Sequence, residues 1–314
     1  MNRDQKIFVT GHRGMVGSAI LRLLQQGGHT GFLTADRSVL DLRRQAAVLD
    51  FFARERPEVV VISAARVGGI AANMREPAAF LFDNLGIQNN LFEASLKYGV
   101  KRVIFLASSC IYPAQSPQPM REEYVLTGAL EPTNEGYALA KIAGLKMARY
   151  FHDQHGLSAM CLVPCNLYGT NDHFDLERSH VLSALVRRFA DAADEGRRAV
   201  TLWGTGVARR EFLHVDDLAR AVVFLDPMVS SPDFINVGSG EDISIFDLAH
   251  LIARHVGFDG EILWDSSKPD GMLRKLLDVT RMREIGFQPD ITLAMGIART
   301  IGEYRELKAA GAVK

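Results

Sequence analysis

Short, unbroken apolar runs alternate with stretches of helical periodicity over the first half of the chain. Ile7-Phe8-Val9, Val59-Val60-Val61-Ile62 and Val103-Ile104-Phe105-Leu106-Ala107 are rich in β-branched and aromatic residues, the pattern of strands buried on both faces. A further short strand is expected near 31–34. Helical patterns begin at Ser18 and cover 43–55, 77–98 and 134–155. Strands alternating with helices of this length predict an α/β fold built on a Rossmann-type, doubly wound parallel sheet. Beyond residue 165 the pattern changes. A helix is expected over 180–195, a strand-turn segment around 202–206, a helix and strand at 213–225 and 233–237, a terminal helix over 291–308, and a frayed tail at 309–314. The expected division is a nucleotide domain of residues 1–165 plus about 213–237, with a smaller C-terminal α/β substrate lobe of 166–212 and 238–314.

Composition narrows the class. The chain has 314 residues, 47% hydrophobic and 23% charged, with a net charge of −1. That balance offers no basic field for nucleic acid or an anionic membrane. The apolar runs fall short of the ~18 residues a membrane span requires. The first strand follows the N-terminus so closely that a signal peptide is not expected. Three cysteines, an odd number, point to reduced thiols and a cytoplasmic location. Cys161 and Cys165 form a C-x₃-C pair, but neither a second pair nor a histidine cluster accompanies them, so no metal is expected.

Chemistry enters where strands end. Gly11-His12-Arg13-Gly14-Met15-Val16-Gly17 joins the first strand to the first helix. Strand, glycine-rich turn and helix N-terminus suit a dinucleotide pyrophosphate, since the glycines allow close approach and the helix presents unpaired N–H groups. The spacing is G-x-x-G-x-x-G rather than G-x-G-x-x-G. Asp36 lies ~20 residues past the turn, where an acidic residue holds a ribose 2′-hydroxyl. Arg37 beside it and Arg13 in the turn suit a 2′-phosphate instead; two cations outweigh one carboxylate, favouring NADP(H). Small residues at Ala64 and Ala65 would let a flat cofactor lie against the backbone. Ser108-Ser109-Cys110-Ile111-Tyr112-Pro113 follows the 103–107 run, at the carboxyl end of a strand where ligands bind in such sheets. Tyr137 and Lys141 are four apart on one helix face. A nearby ammonium favours the phenolate, making Tyr137 a candidate to exchange a proton beside a carbonyl.

This ordered set resembles the extended short-chain dehydrogenase/reductase family. The resemblance runs over essentially the whole chain, through 11–20, 108–113, 131–135 (Glu-Pro-Thr-Asn-Glu), 137–144, 166–169 (Asn-Leu-Tyr-Gly), 210–217 (Arg-Glu-Phe-Leu-His-Val-Asp-Asp) and 268–278. Within the family it is similar to the epimerase-reductases of GDP-4-keto-6-deoxy-D-mannose. Cys110 carries that likeness, because related dehydratases place an acidic residue nearby and 4-epimerases lack the cysteine.

The resemblance implies NADPH-dependent epimerisation at C3 and C5 followed by reduction at C4, giving GDP-L-fucose. It implies Cys110 as base, His180 as acid, Tyr137 as proton donor to the C4 oxygen, Ser108 as a second donor there, and Lys141 on the nicotinamide ribose. It places the cofactor against Gly11, Arg13, Gly14, Met15, Val16, Gly17, Arg37, Asp41, Leu42, Ala64, Ala65, Leu106 and Ala107. Ser108, Tyr137, Lys141, Pro164, Asn166, Leu167 and His180 complete that set. It assigns Ser109, Arg188, Trp203, Arg210, Asp270 and Lys275 to the GDP-sugar, and implies a homodimer through 77–98 and 134–155. Taken singly, Trp203 reads equally as a core residue and the arginines as a solvated face. Gly136 stands where proline is usual and Cys165 where threonine is. The loop 170–174 is expected to face the sugar. The alternatives are a related GDP-sugar, such as a colitose or heptose precursor, and a non-catalytic cofactor-sensing protein on the same fold.

Overall fold

The computed structural model describes residues 3–175, 179–229, 233–268 and 270–313. The elements run β1 (Ile7–Val9), α1 (Met15–Gln26), β2 (Phe32–Leu33), α2 (Gln45–Glu55), β3 (Val59–Ile62), α3 (Ile70–Arg75), α4 (Pro77–Lys97), β4 (Arg102–Leu106), α5 (Glu135–His155), β5 (Ala159–Pro164) and β6 (Asn166–Tyr168). They continue as α6 (Val181–Asp194), β7 (Ala199–Trp203), β8 (Arg209–His214), α7 (Val215–Leu225), β9 (Phe234–Val237), β10 (Asp242–Ser244), α8 (Ile245–Val256), β11 (Glu261–Asp265), β12 (Arg274–Lys275), α9 (Thr280–Glu284) and α10 (Leu293–Ala309).

The continuous apolar runs form the central sheet. Its order is β2-β1-β3-β4-β5-β9, parallel throughout. β1 and β3 are neighbours whose connections leave to opposite sides, so a topological switch point lies between them. The glycine turn after β1 and the 63–69 stretch after β3 meet there. Two smaller sheets follow: β10-β8-β12 with β6 also on β8, and the pair β11-β7.

Two apolar cores form. The first packs the central sheet against α1, α2, α4, α5 and α7, and it includes Leu277, Val279, Met282 and Phe287 from the C-terminal part of the chain. The second packs α6, α8 and α10 around Tyr168, Phe189, Phe212 and Ile252. Gly136 has a physical reason: a Cβ there would lie 2.7 Å from the Pro77 carbonyl oxygen, so the start of α5 approaches the start of α4 at backbone distance.

Candidate active site

The cofactor end is built first. Thr10, buried at the end of β1, donates from Oγ1 to the Val61 carbonyl at 3.0 Å and accepts from the Ser63 and Ala64 amides at 3.1 Å each. The Ser63 hydroxyl donates back to the Thr10 carbonyl. The two strand ends at the switch point are thereby clamped. Gly11 takes φ +66°, and the Gly14 amide donates to its carbonyl at 2.9 Å. A side chain on Gly17 would collide with that same carbonyl, so the turn leaves a cradle only glycine keeps open. Gly14 caps α1 and has no side chain to cover the first amides, which suits an anionic ligand. Ala64 backbone lies 3.0 Å from where a Gly11 Cβ would stand, bringing Ala64 and Ala65 to the turn.

The competing charges of the glycine turn and the end of β2 resolve into one cluster. Arg13 bridges Asp36 at 2.6 Å and His12 Nε2 lies 3.3 Å from it. The carboxylate therefore faces the turn's own cation, while Arg37 is exposed. Asp41 is held down to about 2 by hydrogen bonds from Arg43, which also reaches Asp83 at 3.0 Å. The Leu42 carbonyl accepts from Asn90 at 2.8 Å.

At the end of β4 the reactive groups converge. Ser108 begins a single 3-10 turn, and its hydroxyl oxygen accepts from the Cys110 amide at 3.5 Å. The same hydroxyl opposes the upward shift of both the Cys110 thiol and the Tyr137 phenol. Lys141, 4% exposed, donates from Nζ to the Leu106 carbonyl at 2.7 Å and lies 5.6 Å from the Tyr137 ring centre. Phe80 closes the other edge of Tyr137 at 6.4 Å.

The electrostatics run opposite to the expectation from Tyr-x₃-Lys spacing. Burial pushes the Tyr137 phenol well up, and charge on Cys110 would push it further; only the Ser108 bond opposes. Lys141 is pulled down to about 8, again by burial, with charge on Cys110 opposing. In the protein alone the ammonium favours the phenolate less than the buried surroundings disfavour it. The Cys110 thiol is likewise pushed up by burial, opposed first by Lys275, then by Ser108 and Lys141. Ser109 is only 3% exposed.

Pro164 ends β5. Asn166 spends its side-chain amide on the Glu211 carbonyl at 2.7 Å, and Leu167 packs on the first core. Trp203 is 67% exposed at the end of β7, with Lys268 5.8 Å from its ring centre, so it is no core residue. Arg188 donates to the Thr201 carbonyl at 3.3 Å. Lys275 and Arg210 are register partners on β12 and β8, and burial draws both down. Asp270 accepts from the Thr205 amide at 2.7 Å and hydroxyl at 2.8 Å, fixing the turn after β7.

His180 is exposed and precedes α6 as its N-cap residue, with no capping bond from its ring. No hydrogen bond or ion pair among the described residues joins it to Cys110. The loop 170–174 is tied to two helices. Its Asn171 side chain reaches Ser18 in α1 at 2.9 Å, and the Asn171 backbone amide donates to Glu303 in α10 at 2.8 Å.

Sequence reasoning passed over two buried polar residues beneath the site. Glu211 is fully buried in β8 and accepts from the Gly240 amide at 2.7 Å and the Leu277 amide at 2.9 Å. Asn236 in β9 receives the Tyr112 hydroxyl at 2.5 Å and donates to the Met120 and Asp278 carbonyls at 2.9 and 3.0 Å. The available signal was an asparagine inside the otherwise apolar Phe-Ile-Asn-Val and, more weakly, a carboxylate next to Phe-Leu in Arg-Glu-Phe-Leu-His.

Residues 7–238 match the family model described as the NAD dependent epimerase/dehydratase family. Among curated proteins, GDP-L-fucose synthase 1 of Arabidopsis thaliana is 49% identical over 303 residues, covering 96% of this chain and 94% of that one. A GDP-6-OMe-4-keto-L-xylo-heptose reductase structure from C. jejuni superposes with a TM-score of 0.92 at 33% identity, covering 98% of this chain and 99% of that chain. A GDP-L-fucose synthetase from Naegleria fowleri bound to NADP gives 0.90 at 26% identity, covering 99% and 97%. With the glycine cradle at the switch point and the Ser108–Tyr137–Lys141 group at the end of β4, these likenesses mean that the chain belongs to the NAD dependent epimerase/dehydratase family, among the relatives of the GDP-L-fucose synthases.

Proposed function

We propose that this chain converts GDP-4-keto-6-deoxy-D-mannose to GDP-L-fucose with NADPH, inverting C3 and C5 and then reducing C4. The observation that carries the reading is the gathering of Ser108, a buried thiol, a phenol and a lysine at the end of β4, with Ser108 capping the turn that holds Cys110 and Lys141 lying 5.6 Å from the Tyr137 ring centre. A reductase needs only the phenol; the thiol is the added base.

The Gly11–Gly17 cradle and the N-terminus of α1 would hold the dinucleotide pyrophosphate. Arg13 and Arg37 would take the 2′-phosphate, Arg13 exchanging its Asp36 partner for it. When bound, the nicotinamide supplies the hydride. The remaining steps belong to the chain's own side chains. The C4 ketone acidifies the hydrogens at C3 and C5. Cys110 removes each as a thiolate, leaving an enolate, and His180 delivers a proton to the opposite face; between the two inversions the thiol gives up its proton to water and His180 takes one back from it. Lys275 and Lys141 are the cations that draw the buried thiol toward its charged form. Tyr137, held as a phenol by burial, then gives its proton to the C4 oxygen as that oxygen gains charge, with Ser108 as the second donor. Lys141, fixed to the Leu106 carbonyl, would hold the ribose.

In the lobe, exposed Trp203 offers a face to guanine, and Arg210 with Lys275 suits the diphosphate. Arg188 and Asp270 complete the proposed substrate set, Asp270 by shaping the turn after Trp203. Ser109 would contribute through its backbone. A cytoplasmic homodimer through α4 and α5 fits the exposed Phe82, Leu139 and Tyr150 on those helices. No described helix is long and apolar enough to cross a membrane.

The test is incubation with the 4-keto-6-deoxy GDP-sugar and each nicotinamide in deuterated water. GDP-L-fucose carrying deuterium at C3 and C5, formed faster with NADPH, is expected. A reduced product that keeps its starting configuration, or turnover confined to a GDP-heptose, would overturn the reading.

A further inference from the structure

His180 is exposed and is the residue from which α6 starts, with no capping bond from its ring, so its backbone is placed with the start of α6. Among the described residues, the Asp172 side chain in the preceding loop reaches that first turn. Asp172, 9% exposed, accepts from the hydroxyl of fully buried Ser183 through Oδ2 and from the His173 amide at 2.8 Å through Oδ1. Ser183 stands three residues after His180. The same loop is held at two other points. The Phe174 carbonyl accepts from Arg187 at 3.0 Å, one turn further along α6. Asn171, at φ +66°, donates from its side-chain amide to Ser18 in the first turn of α1 at 2.9 Å. The loop is therefore bonded both to the helix that begins at the glycine cradle and to the helix that follows His180.

We infer that Asp172 is a positioning residue for His180, acting through Ser183, with Asn171 referring the same loop to the cofactor helix. The inference rests on the proposed epimerisation, in which His180 supplies the proton. An apolar contact could hold α6 against the loop with similar energy, but it would leave the helix free to slide and rotate. A buried hydrogen bond fixes direction as well as distance, and leaving either partner alone exposes an unmet polar group to an apolar core.

Asp172→Asn and Ser183→Ala test it separately. Three readouts are needed: deuterium wash-in at C3 and C5 of the keto-sugar, NADP⁺ reduction with GDP-L-fucose, and NADPH affinity by fluorescence. The second needs no epimerisation. Wash-in should fall roughly ten- to a hundred-fold in each variant, since small displacements of a reacting group cost that much, while the other two hold within about twofold. Wash-in that persists in both variants overturns the inference. So does a fall in which all three readouts decline together, because that marks a fold defect rather than positioning. A wild-type protein with no wash-in overturns the epimerase reading itself, and this inference with it.

Discussion

Tyr137 is a phenol kept protonated by its surroundings, and Lys141 is a lysine drawn down to about 8. Such a pair is set up to give a proton rather than take one. Tyr137→Phe should therefore lower C4 reduction by roughly 10²–10⁴-fold while NADPH still binds, measured by single-turnover hydride transfer beside a binding titration. Unchanged turnover would remove Tyr137 from the mechanism. The pairing itself was legible in the Tyr-x₃-Lys spacing. The direction of the shifts was not, because it depends on burial by Phe80, Phe105 and Leu106, which come from other elements. At the ribose end, Arg13 now pairs with Asp36, so its loss has two effects: a cation for a 2′-phosphate disappears, and the carboxylate is freed. Arg13→Ala should shift the NADPH-to-NADH preference about ten-fold toward NADH, read from kcat/KM with each cofactor. A preference that does not move would refute the role of Arg13.

Among the elements, β8 has a feature that periodicity does not reveal. Burial lifts the Glu211 carboxyl from 4.5 to about 7, against the amides of Leu277 and Gly240 that pull it down. Its folded pKa lies above its unfolded one. Between those values the folded chain holds a proton that the unfolded chain has released, so this group favours folding at acid pH. That contribution is lost as pH rises through about 7, and is worth roughly 3 kcal/mol in all. Glu211→Gln should lower stability at acid pH, by roughly 1–3 kcal/mol, because its amide N–H₂ would face backbone donors, and the deficit should close as pH rises through about 7. It should also flatten the dependence of melting temperature on pH between about 5 and 8. A variant with the same slope as wild type would contradict the assignment. β1, β3, β4 and β9 of the central sheet and the long helices α4 and α5 could be read from the sequence, since their buried runs are local and continuous, whereas the equally apolar β5 was passed over. The pairings of β6, β10 and β12 around β8 could not, because strands of two or three residues carry too little pattern and meet across long stretches of chain. The short helix α3 was missed for the same reason.

For the whole molecule, α4 and α5 pack on each other and still leave Phe82 77% exposed and Tyr150 61% exposed. If a second copy covers that face, Phe82→Arg should halve the sedimenting mass without loss of NADPH binding. A variant that sediments like wild type would rule out this face as the contact. The path of the chain bears on how such a protein accommodates substrate. It lies in the first core up to Cys165, in the second from Tyr168 to Phe212, back in the first from Leu213 to Val237, then in the second over Leu248–Phe258, the first over Leu277–Phe287, and the second over Ile297–Tyr304. Two bodies laced by five strands of the same thread cannot swing apart like the halves of a locket. Opening for a nucleotide sugar must come from turns and side chains at the seam. Neither half can be excised as a working piece, and protease cuts between them should leave the fragments associated until denaturant is added.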